Sequence, residues 1–217
     1  MKIVAVMPIK LNNERLPGKN TKKLGDKPLL QYELLNLLNL QATKLIDSIY
    51  VFCSSEDVIK YLPEGIIFLK RPEYLDLPTS NFNQIFDDFI QSIEADIYVY
   101  AHATAPFITV NTMQECIKAV VSGEYDSAFC ASKIQDYLWQ DGRPLNFDAT
   151  NIPRSQDLKP IYRETSGVYV LTRDSYLANH RRVGNKPYIK EVTYKEAVDI
   201  NTLADFNLAE ALLKTAI

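Results

Sequence analysis

The segment Lys10-Leu-Asn-Asn-Glu-Arg-Leu-Pro-Gly-Lys-Asn20 gathers cations and neutral amides within one short stretch. Lys10, Arg15 and Lys19 supply positive charge; Asn12, Asn13 and Asn20 supply hydrogen bonds. A triphosphate is held by that mixture, with charge opposing the phosphates and donors fixing their oxygens. Pro17-Gly18 adds a tight turn, and glycine lets the backbone approach a ligand closely. The spacing is neither the phosphate loop GxxxxGK[ST] nor the dinucleotide GxGxxG. Composition alone leaves two readings open, a phosphate site and a merely solvated loop.

Farther along the chain, Asp199 follows an apolar strand-like run and precedes a helix start. Magnesium takes one or two carboxylates together with phosphate oxygens and waters, so Asp199 is a candidate ligand. Asn201 has the same reach and offers a neutral carbonyl, directly or through water. The alternative for both is a turn or cap role. His102 ends an apolar run and is suited to contact a base or ribose, or to bond a nearby carbonyl. Arg163 has the fork geometry for a carboxylate, or for a structural ion pair with Glu164. His180 reads as a surface residue.

These residues need elements to position them. Strand-like runs lie at 3–9, 49–53, 66–69, 97–103, 127–133, 167–173 and 188–193. Helical spacing of apolar residues predicts helices over 28–40, 81–94 and 111–122, the third capped by Asn111. A last helix starts at Thr202, with Asp205 in the capping-box position and an apolar face of Leu203, Phe206, Leu208, Ala209, Leu212 and Leu213. Alternating strands and helices predict a mostly parallel α/β sheet with helices on both faces, and ligands at the carboxyl ends of the strands. The loop 10–20 and the segments 52–57 and 102–106 all follow strands, so they line one crevice. Residues 134–165 break the rhythm. They hold the sole tryptophan, Trp139, and little periodicity, and read as a lid or as an arm packed on a second subunit. The expected organisation is one domain over 1–217 with 134–165 inserted.

Composition narrows the class. The 217 residues are 47% hydrophobic with a net charge of −3, enough for one full core. Without a long basic run, nucleic acid is not an expected partner. Cys53, Cys116 and Cys130 are scattered and form no metal motif, which fits a reducing compartment and core packing. The N-terminal apolar run is too short for a signal peptide, and no run reaches membrane-spanning length. The expectation is a cytoplasmic protein with no membrane partner.

The ordered motifs carry a resemblance. Leu16-Pro-Gly-Lys-Asn20, then Lys22-Lys23 and Lys27-Pro28-Leu29, resembles the signature of the cytidylyltransferases that activate sialic acids and related acidic sugars. Arg71-Pro72-Glu73 with Thr79-Ser80, His102-Ala-Thr-Ala-Pro106, Tyr162-Arg163 before Gly167-Val-Tyr169, and Val198-Asp199-Ile200-Asn201 follow in that family's order, across nearly the whole chain. Lys10 stands where the family has Arg, Asn13 where it has Ser, Glu14 where it has Lys, His102 where it has Gln, Cys53-Ser54 where it has Thr-Asp, and Asn201 where it has Asp. The resemblance implies a Rossmann-like nucleotide-diphospho-sugar transferase fold and transfer of CMP from CTP to a sugar acid, with Mg²⁺. It implies Lys19 and Asp199 as catalytic residues, with Asp199 and Asn201 on the metal. Lys10, Asn12, Asn13, Arg15, Asn20, Arg71, Thr79, His102 and Thr104 would bind nucleotide, and Arg163 the sugar acid. A homodimer built through the 134–165 arm is implied as well. A different base or a neutral sugar, a glycosyltransferase of the same fold, and a nucleotide-binding protein without turnover stay open.

Overall fold

The computed structural model describes residues 1–215. In chain order the elements are β1 (Ile3–Ile9), β2 (Lys23–Leu24), β3 (Lys27–Pro28), α1 (Leu29–Ala42), β4 (Ser48–Cys53), β5 (Ile67–Lys70), α2 (Phe82–Ser92), β6 (Ile97–Ala101), α3 (Val110–Val121), β7 (Ser127–Ile134), β8 (Trp139–Gln140), β9 (Arg143–Pro144), β10 (Ile161–Thr172), α4 (Arg173–Asn179), β11 (Pro187–Glu191) and α5 (Leu203–Lys214). Seven strands form one sheet in the order β11-β7-β10-β6-β1-β4-β5. Only β10 runs antiparallel to its neighbours, β6 and β7. The remaining pairings are parallel, as the alternation of elements requires.

β1 is apolar at almost every position because both faces of the sheet are covered. Ala5, Met7 and Ile9 pack with Leu30, Leu34 and Leu37 of α1 and with Met113, Cys116 and Ile117 of α3. Val4 and Val6 point the other way, onto Phe86, Phe89 and Ile90 of α2 and Tyr176 of α4. α5 closes a third, smaller cluster, placing Phe206 and Ala209 against Leu24 and Leu29. All three cysteines are free and buried, as their apolar surroundings led us to expect. Among the described residues no helix is long and apolar enough to cross a membrane.

This layout sets the crevice. The C-terminal ends of β1, β4, β5 and β6 lie along one edge of the sheet. β10 runs the opposite way, so its first half extends past the end of β6, where Val168 pairs with Ala101, and continues beside β7, where Arg163 pairs with Ser132. A register shift between Glu164 and Tyr169 marks the place where β10 leaves β6.

Three expectations are corrected. β10 begins at Ile161, not at 167, so the end of the 134–165 segment is regular strand; the polar run Arg163-Glu164-Thr165 concealed it. β8 and β9 form a further small hairpin within that segment. The N-cap of α3 is Thr109, whose side chain accepts from Thr112 N, while the Asn111 amide donates to Glu115. In α5, Leu203 and Leu208 are 56% and 52% exposed, so the buried face is narrower than the leucine pattern suggests.

Candidate active site

The loop after β1 returns across the ends of β1 and β6. Gly18 takes φ +65°, a left-handed turn that glycine adopts without strain, and Lys19–Thr21 follow as a single helical turn. That turn buries Lys19 and Asn20. Lys19 Nζ donates to the Ile200 carbonyl at 2.7 Å, and Asn20 Nδ2 donates to the Lys10 carbonyl at 3.0 Å. The Leu16-Pro-Gly-Lys-Asn20 half of the loop is therefore fastened twice at its Lys19-Asn20 end. Burial lowers the Lys19 pKa, opposed by the Asp199 carboxylate; the Arg15 and Lys10 charges lower it further.

A cavity of about 250 Å³ opens at this point. Lys10, Asn13, Lys19, Asn20, Arg71, His102 and Thr104 line it, together with Ser80, Tyr100 and an apolar wall of Leu75, Leu77 and Pro78. Lys10, Lys19 and the Asp76-paired Arg71 line the space with no carboxylate among the lining residues, a positive excess that suits an anion. The Oδ1 atoms of Asn13 and Asn20 and Nδ1 of His102 are buried without partners. Such orphans in a native interior call for a partner, and a ligand in this cavity would supply one. The His102 ring lies between Tyr100 and Tyr169, with centroids 5.1 and 5.7 Å away. Burial pushes its pKa down to about 4, against the pull of Asp199, so it is neutral at physiological pH.

Asp199 and Asn201 follow the short run that hydrogen-bonds Ile200 N to the Thr104 carbonyl at 2.8 Å. That bond ties the metal-candidate segment to the β6 loop. Asn201 Nδ2 donates to Asp199 Oδ2 at 2.5 Å, and Ser166 Oγ donates to the same oxygen at 3.2 Å. Asp199 Oδ1 is buried and has no partner. Neither residue is the cap of α5. Thr202 is, in a capping box with Asp205, as its sequence predicts. Asp199 also lines a second cavity of about 460 Å³, with Arg163, Glu164, Ser166 and Tyr194. Asp199 lies in this second cavity, next in sequence to Ile200, whose carbonyl holds Lys19 of the cationic cavity.

Not every expected residue lines the cationic cavity. Asn12 faces a neighbouring cavity of about 490 Å³ with Ser54, Ser55 and Glu56, so the 52–57 segment borders the crevice beside the main cavity. Arg15 is exposed and bonds Asn201 Oδ1 at 2.7 Å. Thr79 is exposed, and its neighbours Pro78 and Ser80 take the lining positions. Arg71 is 2% exposed and paired with Asp76, so its charge is largely neutralised from within the chain. Arg163 donates to Ser132 Oγ at 3.2 Å, while Glu164 pairs with Arg182 instead.

Sequence reading missed several partners. Asp76 accepts from Ser54 Oγ at 2.5 Å as well as from Arg71, and its backbone carbonyl accepts from Lys10 Nζ at 3.2 Å. It fixes the cationic wall, yet nothing in its local pattern distinguishes it from a solvated turn acid. Arg182 stacks over Tyr169 at 4.8 Å and comes from the loop after α4, remote in sequence from every motif.

With this geometry in place, the chain can be set beside known proteins. A protein-family model described as Cytidylyltransferase matches residues 4–216. The chain belongs to the cytidylyltransferase family. Among its curated relatives, the CMP-N,N'-diacetyllegionaminic acid synthase of Legionella pneumophila is 26% identical over 99% of this chain and 97% of that protein. The pseudaminic acid cytidylyltransferase of Campylobacter jejuni is 23% identical, again over 99% of this chain and 97% of that protein. The N-acylneuraminate cytidylyltransferase of Oncorhynchus mykiss is 24% identical over 96% of this chain but only 49% of its own length. This cytidylyltransferase therefore spans about half of the fish relative and almost all of the two bacterial ones. Its fold matches that of a CMP:2-keto-3-deoxy-manno-octonic acid synthetase solved with CTP, with a TM-score of 0.73, 16% identity and full coverage of both chains.

Proposed function

We propose that this cytidylyltransferase transfers CMP from CTP to an acidic sugar of the nonulosonic class and releases pyrophosphate. One observation carries the reading: the cation-lined cavity, with no carboxylate among its lining residues, holds the buried Lys19, whose ammonium bonds the carbonyl of Ile200, the residue next to Asp199 and its unpartnered oxygen. The names of the full-length bacterial relatives support the acceptor class.

In the reaction the anomeric hydroxyl of the sugar acid attacks the α-phosphorus of CTP. The new C–O–P link forms as the bond to the β-phosphate oxygen breaks, and the hydroxyl proton passes to solvent. The chain's work is positioning and charge stabilisation. Lys19 faces the charge developing on the α-phosphate, and Lys10 and Arg15 hold the triphosphate. Asn13, Asn20, His102 and Thr104 contact the nucleotide, and Arg71 shapes the wall with Asp76. Arg163 meets the sugar carboxylate in the second cavity.

Magnesium fits the residues present. Among the described residues no group of three or more His, Cys, Asp and Glu gathers. A magnesium ion that arrives on a triphosphate needs only one or two carboxylates, and Asp199 Oδ1 is a buried oxygen with no other partner. Bound there, Mg²⁺ would offset negative charge on the phosphates. We further place the enzyme in the cytoplasm as a single domain. Its 134–165 segment would join two copies into a homodimer, and its product would feed surface polysaccharide.

The test is a pyrophosphate-release screen that crosses four nucleoside triphosphates with nonulosonic and octulosonic acids in the presence of Mg²⁺. Release is expected with CTP and an acidic sugar alone. Release with another nucleotide, or with a neutral sugar in preference, would overturn the assignment.

A further inference from the structure

Asn201 lies between two cations and a carboxylate. Its Oδ1 accepts from Arg15 Nη2 at 2.7 Å and from Lys19 Nζ at 3.4 Å, and its Nδ2 donates to Asp199 Oδ2 at 2.5 Å. Polarity dictates this orientation. The reversed amide would set its NH₂ against two donors and its carbonyl against a carboxylate. Asp199 Oδ2 is occupied, because it also accepts from Ser166 Oγ. The nearby Asp205 is engaged too, with Asn201 N, Thr202 N and Thr202 Oγ1 at 3.0, 2.8 and 2.9 Å. What remains for a hard cation is one oxygen, Asp199 Oδ1. Without a triphosphate to share the ion, a single carboxylate oxygen beside a lysine ammonium is a poor site for a divalent cation. The neighbouring side-chain oxygen is the Asn201 carbonyl, and the exposed Arg15 covers it, with Lys19 at longer range.

We propose that the divalent-cation site is gated by the nucleotide: the triphosphate draws the exposed Arg15 off Asn201, and the freed carbonyl joins Asp199 Oδ1 as a second ligand. The cation then binds with the nucleotide and not before it. Lys19 stays in place, held by the Ile200 carbonyl. An aspartate at position 201 would instead give the free protein two carboxylates and a standing cation site. The gating rests on the proposed nucleotide reading only for what opens the site, and it is tested without sugar or turnover.

The experiment is Mn²⁺ binding to the full-length protein, followed by the electron paramagnetic resonance signal of free Mn²⁺, first without nucleotide. Asn201→Asp is expected to bind Mn²⁺ about tenfold or more tightly than the unaltered protein, since affinity at oxygen sites follows ligand charge. Arg15→Met, which uncovers the carbonyl without adding charge, is expected to gain a few-fold, and Asp199→Asn combined with Asn201→Asp to lose the gain. Unaltered protein given a non-hydrolysable CTP analogue should carry Mn²⁺ into a slowly tumbling ternary complex, read by water-proton relaxation. Nucleotide-free protein that binds Mn²⁺ as tightly as Asn201→Asp, or an Arg15→Met variant that gains nothing, would overturn the gating alone. If the CTP analogue did not bind at all, both the gating and the proposed function would fall.

Discussion

Lys19 is a buried lysine whose pKa its surroundings lower on balance. Desolvation acts against the charge, and the Asp199 carboxylate is the main opposing influence. The two residues therefore act as a unit. Lys19→Ala should lower kcat about 10²–10³-fold, the usual cost of losing a preorganised charge at the transition state, with a smaller change in KM for CTP. Steady-state kinetics check this, and ordinary turnover in the variant would remove Lys19 from the chemistry. Asp199→Ala loses both the free oxygen and the support for Lys19, so its residual rate should be at least as low and should no longer respond to Mg²⁺ concentration. Full activity in Asp199→Ala, or in excess chelator, would contradict that role. His102 gives a pH signature. Its folded pKa of about 4 lies below the unfolded value near 6.5, so the unfolded chain binds the extra proton first as pH falls. Its contribution to stability is full above pH ~6.5 and is lost as pH drops toward 4. An NMR titration of the His102 ring should show a neutral imidazole at pH 6, and denaturation of His102→Gln should lack that part of the acid loss. A ring that titrates at the ordinary histidine pH would contradict its burial.

At the scale of elements, the site depends on how tightly β10 lies against the loop after β6. A Cβ on Gly167 would fall 2.5 Å from Ile108 Cδ1 and 2.8 Å from Cγ1. Ile108 has little room to yield, because it is buried and its carbonyl accepts from Asn36 Nδ2 at 2.7 Å. Gly167→Ala should destabilise the protein by about 1–3 kcal/mol, the usual cost of overpacking, and disturb the loop that carries His102 and Thr104. Urea denaturation measures the first effect and CTP affinity the second; an unchanged urea midpoint would show that the contact relaxes freely. Gly167 itself was visible in the sequence as part of the Gly-Val-Tyr strand. So were the apolar strands β1, β4 and β6 and the capping box of α5, because each is written in local composition. The start of β10 was not, since its residues pair across the sheet while facing solvent with polar side chains. The same contrast runs through the site. Lys10 and His102 stood out as crevice positions because each closely follows an apolar strand, and Lys19 because it sits in the cation- and amide-rich loop after β1. Asp76, Ser166 and Arg182 were not, because their importance comes from partners brought close only by folding.

At the scale of the whole molecule, the 134–165 segment stands out for what it leaves uncovered. Trp139, Leu145 and Ile152 are 60%, 53% and 62% exposed. Large apolar side chains grouped on one excursion mark an interface more often than a free surface. Light scattering should give the mass of two 24.8 kDa chains, and Trp139→Ala with Leu145→Ala should shift the equilibrium toward one. A strictly monomeric mass for the unaltered protein at micromolar concentration would contradict the homodimer. A fold does not by itself fix chemistry, so activity has to be argued from the site and not from the architecture.

The central claim is that the cationic cavity delivers the α-phosphate of CTP to an acidic sugar. It is tested most directly by following label from α- and γ-labelled CTP in the presence of a nonulosonic acid and Mg²⁺. Label from the α position should appear in a sugar-linked CMP and label from the γ position in pyrophosphate, in equal amounts. If the α label ended in free CMP or CDP, or stayed in CTP across the panel of acidic sugars, the claim would be wrong.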